Sequence, residues 1–212
     1  NMGVEEHVAP GLYVTLLYNG TGGSVLKWFR DNFARVEKLQ MESQKENIYD
    51  KLTAEMPEHP SNLMVLPHFT HTGPPLFESR TSGVIAGLKL DTPRGELVKG
   101  LLEGVVYYVK DGIEQLEKAG IMIDEYCPTG GGSKSDAWLK IAADIIGKPF
   151  KRLAVVEAGT LGAAILAGTG AGIYSSVAEA AEQLVKIKGI IEPDLGKHRV
   201  YPVSYTHLRA HE

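Results

Sequence analysis

The sequence predicts an α/β domain whose largely parallel sheet is flanked by helices. Short β-branched and aromatic runs alternate along the chain with stretches whose apolar residues recur at helical spacing, the order expected when helices cover a sheet. A glycine run, Gly130-Gly131-Gly132, falls between an apolar run and an amphipathic helix, a placement that recurs in many nucleotide folds. The chain has 212 residues, enough for one domain with a real core or for two small ones.

The elements follow in order. Residues 12–18 (Leu-Tyr-Val-Thr-Leu-Leu-Tyr) predict a strand, broken by Asn19-Gly20-Thr21-Gly22-Gly23. A helix follows from about Ser24, with Val25, Phe29, Phe33 and Val36 on one stripe. Residues 40–62 are polar and predict a short helix at 48–56, then a loop through Pro57 and Pro60. Residues 63–66 predict a short buried strand and 84–88 another strand, on either side of a loop rich in Thr, Gly and Pro. Thr92 suits an N-cap and Pro93 a first helical position, opening a long helix that buries Leu97, Leu101, Val105, Tyr108, Gly112 and Leu116. Gly120 ends it, and Ile121-Met122-Ile123 leads as an extended run to the glycines. The next helix buries Trp138, Ile141, Ala142 and Ile145 and stops at Gly147 and Pro149. A strand at 153–156, a small-residue helix at 158–167 and a helix from the capping box Ser176-Val177-Ala178-Glu179 to about 187 complete the order.

Composition excludes several classes. The net charge of -4 comes without a block of like charge, so nothing suggests a nucleic-acid partner or a polybasic membrane anchor. No apolar run approaches the ~20 residues that span a bilayer. The single cysteine, Cys127, forbids an internal disulfide or a thiolate zinc cluster, and a reducing cytoplasmic setting follows naturally. A buried structural thiol is the default role for it. The opening residues read as interior sequence and lack the basic and apolar regions of a signal peptide. The expected domain is residues 1–201, and residues 202–212, with no helical period, are expected to be a poorly ordered tail foreign to the native fold.

Three glycines remove every β-carbon from the turn at 130–132, so a flat ring or a phosphate could approach the backbone. The helix that follows presents free N–H groups and a positive dipole end, and the Ser135 hydroxyl could bond a ligand. A flexible turn with Ser135 as a plain N-cap explains the same residues. The stretch is neither G-x-G-x-x-G nor a P-loop. The Gly- and Ala-rich segment 157–168 suits either a helix at an interdomain cleft or a tightly packed core helix, because glycine inside a helix costs about 1 kcal/mol against alanine. His68 and His71, two apart on a loop, could share a metal, but no third ligand is evident.

Taken together, these stretches resemble the second half of the FGGY carbohydrate kinases, the family of xylulokinase and glycerol kinase. Residues 129–138 (Thr-Gly-Gly-Gly-Ser-Lys-Ser-Asp-Ala-Trp) with 143–149 resemble the family's adenosine motif, and 157–174 its second connecting helix. Residues 83–88 with Glu96-Leu97 resemble its carboxyl-terminal signature, departing at Gly100 where Ala or Ser is usual. Residues 66–75, including Pro74-Pro75, resemble the loop before it, and Thr21-Gly22-Gly23-Ser24 with Lys27-Trp28 the stretch just past the domain junction. The likeness runs from about residue 8 to 201.

The resemblance implies an actin/Hsp70/hexokinase-like (ribonuclease H-like) fold that holds ATP between two related domains. It places Gly131 and Ser135 on the adenosine, gives Gly130 and Gly132 the shaping of that turn, and sets Gly23 near the phosphates. Lys27 would point a polar side chain toward the nucleotide, or be a solvated helix lysine. The implied reaction moves the γ-phosphoryl group of Mg-ATP to a sugar hydroxyl, a pentulose such as xylulose being favoured. The Asp-x-Gly-Thr phosphate loop is not found, and the family's catalytic aspartate precedes the point where this chain begins. No catalytic residue and no metal ligand is therefore assigned; Asp91, Asp111, Asp136 and Asp144 read as caps or exposed helix residues. The partners implied are sugar, ATP and an amino-terminal kinase domain, without which this chain would be inactive. Apolar surface facing that domain leaves homo-oligomerisation open. A nucleotide-binding or regulatory module that phosphorylates nothing is the alternative.

Overall fold

The computed structural model describes residues 3–73, 78 and 80–201. Residues 202–212, expected to be a foreign tail, and Pro74-Pro75 therefore lie outside the described residues. Helix α4 (Arg94–Lys118) is the axis of the molecule. It is buried on nearly all sides by α1 (Ser24–Phe33), α3 (Ile48–Ala54), β3 (Met64–Leu66) and α5 (Asp136–Ile146). Val98, Leu101, Leu102, Val105 and Val106 join Val25, Phe29, Leu52, Val65 and Ile145 in one core. Two close approaches make this packing possible. A β-carbon on Gly95 would stand 1.9 Å from the Glu55 carbonyl oxygen, and one on Gly104 would stand 2.6 Å from that of Val65. Glycine at both positions lets backbone rest on the helix. Gly100 faces Ser61, Leu63 and Val65, where a β-carbon would find 3.1–3.3 Å, so its glycine gives β3 a slightly closer seat.

The strands pair differently from expectation. The three two-stranded sheets, β1 (Val4–Glu6) with β2 (Tyr13–Thr15), β3 with β4 (Val84–Ala86) and β5 (Phe150–Leu153) with β6 (Ile187–Ile191), are all antiparallel. Parallel contact among the described residues is confined to the bridge between Tyr126 and Phe150, whose rings stack at 5.1 Å. Connections explain the direction. One crossover helix returns a chain parallel to where it began. Two helices in succession, α6 (Ala158–Gly170) and α7 (Val177–Leu184), reverse it once more before β6.

Several local expectations shift. The predicted helix from Ser24 breaks at Ala34 (φ −137°), and α2 (Arg35–Gln44) starts a new axis that leaves Phe33 and Val36 exposed. Pro93 rather than Thr92 stands before α4, because the Thr92 hydroxyl accepts from Lys89 N–H instead (2.9 Å). The run 121–123 forms no strand, and β5 starts three residues before the predicted one. Cys127 is exposed rather than buried; the segment before it is held to β5 by Tyr126 and by the Glu125–Lys151 pair. Asp144 is 2% exposed and accepts from Lys140 Nζ and Asp194 N–H, so it is an internal anchor and not a surface helix residue. Helix α6 is not a packed core helix: only Ile165 and Gly168 are buried, and β-carbons on Gly159, Gly162 and Gly170 would meet nothing.

Charges inside α4 are held by a closed set of partners. Glu103 is 1% exposed; its carboxylate oxygens accept from Ser61 N–H (3.0 Å) and the Tyr201 hydroxyl (3.1 Å). Glu96 accepts from the Ser61 hydroxyl and Asn62 N–H, and Lys99 donates to the Pro57 carbonyl. Burial pushes the Glu103 carboxyl up to about 7, against the pull of the Ser61 N–H and Lys99. The folded state then holds a proton that the unfolded state has released between the ordinary carboxyl range and about pH 7. Stability contributed by this group is full below that range and lost as pH rises through it, about 3 kcal/mol at most. Thermal unfolding of wild type and Glu103→Gln across about pH 5 to pH 8 should show the wild-type midpoint falling more steeply; parallel curves would remove this role from Glu103.

Candidate nucleotide site

The glycine run folds as a turn with a hinge. Gly130 takes φ 74° and ψ −169°, a backbone region that is essentially reserved for glycine. Its N–H donates to the Val156 carbonyl (2.9 Å), tying the turn to the segment before α6. Residues Gly131–Lys134 then wind one 3₁₀ turn, a step that separates the glycines from α5. Ser133 is buried and closes the turn by donating its hydroxyl to the Gly130 carbonyl (2.7 Å). Ser135 caps α5, its Oγ accepting from Trp138 N–H (3.3 Å). That bond uses a lone pair and leaves the hydroxyl hydrogen to donate, so capping and ligand contact are compatible.

The facing wall begins at Asn19. Its Oδ1 accepts from Thr21 and Gly22 N–H (2.8 and 3.2 Å) and its Nδ2 donates to the Pro67 carbonyl (3.2 Å). This Asx turn fixes where α1 starts and puts Gly23 at its N-cap. Lys27 lies one turn further along, exposed.

Gly23, Lys27, Gly131, Gly132 and Ser135 line a single cavity of about 790 Å³. Gly130 does not line it; it sets the bend that carries its neighbours there. The volume lies within the range of roughly 300–1,000 Å³ typical of small-molecule sites. Lys134 adds a second cation beside Lys27. Sequence reasoning missed the third side, Asn47, Tyr49 and Asp50 at the start of α3, and Trp138, expected buried, is half-buried and lines the cavity as well. The Asn47 N-cap, accepting from Tyr49 N–H (3.1 Å), was a readable helix signal, but its nearness to the glycines arises only from folding. Arg30 secures that side, donating to the Tyr49 hydroxyl (2.7 Å) with its guanidinium 5.3 Å from the ring centroid. The arrangement offers main-chain surface, two lysines against the one acidic residue Asp50, and polar side chains around one space, suited to an anionic ligand with a flat ring.

His68 stands apart from this cavity, edge-on to Tyr108 with ring centroids 5.6 Å apart, and burial pushes its imidazole pKa down. Among the described residues no group of three or more His, Cys, Asp or Glu could hold a metal ion, and no helix is long and apolar enough to cross a membrane.

Comparison with known proteins gives this α/β fold and its cavity a family. The model of the FGGY family of carbohydrate kinases, C-terminal domain, matches residues 3–171. The chain is 26% identical over 206 residues to a xylulose kinase of Staphylococcus epidermidis, covering 97% of this chain and 40% of that protein. It is 31% identical over 211 residues to the autoinducer-2 kinase of Escherichia coli, covering 96% and 39%. The crystal structure of xylulose kinase from Rhodospirillum rubrum superposes with a TM-score of 0.79 at 29% identity, over 99% of this chain and 41% of that one. The chain thus has the actin/hexokinase-like fold, and it belongs to the FGGY family of carbohydrate kinases. It spans about two fifths of the length of the relatives it matches.

The turn's backbone makes a sharp prediction. Gly130→Ala should lower the unfolding free energy by about 1–3 kcal/mol, because alanine is strained at that φ and ψ. Gly131→Ala, at an ordinary φ with open space around it, should cost much less. Urea denaturation of the two variants reads the difference; equal losses would mean the turn is not held as described.

Proposed function

We propose that this chain supplies the nucleotide-holding half of an ATP-dependent sugar kinase. The observation that carries the reading is the gathering of Gly23, Lys27, Gly131, Gly132 and Ser135, residues far apart in sequence, around one cavity. In this reading the adenosine lies against the bare main chain at Gly131 and Gly132, with the Ser135 hydroxyl donating to it. The phosphates reach toward the start of α1, where a helix dipole and Lys27 and Lys134 favour negative charge. Magnesium accompanies the nucleotide and would add neutralisation of the phosphate oxygens.

The reaction forms a bond between a sugar hydroxyl oxygen and the γ-phosphorus and breaks the bond from that phosphorus to the β,γ-bridging oxygen, releasing ADP. The hydroxyl proton passes to a base. Positioning and charge neutralisation do most of the work in such transfers, so a domain without the base still contributes substantially to catalysis. The base and most sugar contacts are assigned to the part of the relatives' length that this chain does not span, an amino-terminal kinase domain, so the chain alone should be inactive. Xylulose kinases among the relatives favour a pentulose as the sugar. Free ATP and a lone exposed thiol suit a cytoplasmic setting.

Gly131→Val tests the site with little disturbance to the fold, since nothing lies within 4 Å of a β-carbon there and φ is not positive. Calorimetry should show Mg-ADP affinity falling at least ~10-fold in the variant while the thermal midpoint barely moves. Unchanged affinity would reject the site.

A further inference from the structure

The two walls of the cavity belong to segments more than a hundred residues apart, and one side chain stands beside both. A β-carbon built on Gly132 would lie 3.0 Å from Trp138 Cζ3 and 3.2 Å from Cε3. One built on Gly23 would lie 3.8 Å from the same Cζ3 and from Cη2. The six-membered end of the indole therefore stands between the glycine turn and the start of α1. The base of the side chain is held firmly: Trp138 N–H donates to the Ser135 cap, and the ring packs against the hydrophobic core while still lining the cavity. Both neighbouring positions are glycine: the Gly132 backbone rests close against the ring, and a β-carbon at Gly23 would make ordinary contact with it. Contact between an aromatic face or edge and bare backbone fixes a spacing much more tightly than two flexible side chains could.

We propose that Trp138 is a positioning residue that sets the gap between the two walls, and so makes contacts to the phosphates depend on contacts to the adenosine. This rests on the nucleotide reading given above. With the indole in place, a ligand seated on the glycine turn has its phosphates at the correct distance from Gly23 and Lys27. With a smaller residue, the walls move independently and the phosphate contacts no longer add to those of the adenosine. Trp138 needs no direct bond to the ligand for this role. It differs from a plain core residue in what it controls: the gain in affinity that the phosphates bring, rather than affinity or stability alone.

The test compares adenosine with Mg-ADP in the full chain. Calorimetry on wild type gives the ratio of the two dissociation constants. Trp138→Ala should reduce that ratio at least ~10-fold by weakening Mg-ADP much more than adenosine, and Trp138→Phe should restore most of it. Trp138→Leu carries the same test if the alanine variant does not fold, since it keeps apolar bulk in the core without the reach to Gly23. In a Trp28→Phe background the remaining tryptophan should change its emission on adding Mg-ADP. A ratio unchanged in the variants, with both ligands weakened alike, overturns this inference and leaves the nucleotide reading standing. Absence of Mg-ADP binding by wild type overturns both.

Discussion

The structure depends on how closely backbone can lie against α4. Gly95 and Gly104 give two of its faces no side chain, and the main chain at Glu55 and Val65 occupies the space. The loop after α3 and the strand β3 are set by these approaches, and through them the start of α3 and the turn before α1. Larger residues at either position would push backbone, which gives much less readily than a side-chain tip. The buried network reinforces the same contacts: Ser61 bonds Glu96 and Glu103, and Tyr201 brings the helical residues 195–201 onto the far end of the set. Both carboxylate oxygens of Glu103 have a donor, which is the condition for tolerating such a group inside.

That frame fixes the cavity indirectly. Asn19 is bonded to Pro67 at the end of β3, so the turn before α1 inherits the position of β3 against α4. Helix α5 packs on another face of α4 and carries Ser135 and Trp138. The two walls are thus both referenced to one helix, and the indole between them closes the arrangement. In contrast, α6 and the strand pair β1–β2 expose apolar residues such as Val4, Tyr13 and Leu166. Helix α6 is rich in glycine and alanine with open space around three of its glycines, so its composition is not explained by packing within the described residues.

Much of this was legible in the residues. The Ser135 cap, the capping serine at 176 and, apart from the half-buried Leu97, the buried stripe of α4 are local features, fixed by backbone conformation and helical period, and they stand as read. The resemblance added the assignment of Gly23 and Lys27 to the same site as the glycine turn, which no spacing argument could supply. What was not legible is tertiary. Strand direction depends on how many helices intervene and where they pack. Glu96, Lys99 and Glu103 recur at helical spacing and look like a solvated face, yet a loop and Tyr201 cover them. Asn47, Tyr49 and Asp50 come to the cavity of the glycine turn because α1 and α3 share one core and are joined through Arg30.

The central claim is that the bare turn at 130–132 and the start of α1 hold the two ends of one nucleotide. A crystal structure of the chain with Mg-ADP tests it directly. The adenosine is expected against the main chain of Gly131 and Gly132, with the diphosphate directed at Gly23 and Lys27. A diphosphate lodged elsewhere, with the cavity holding only solvent, would contradict it.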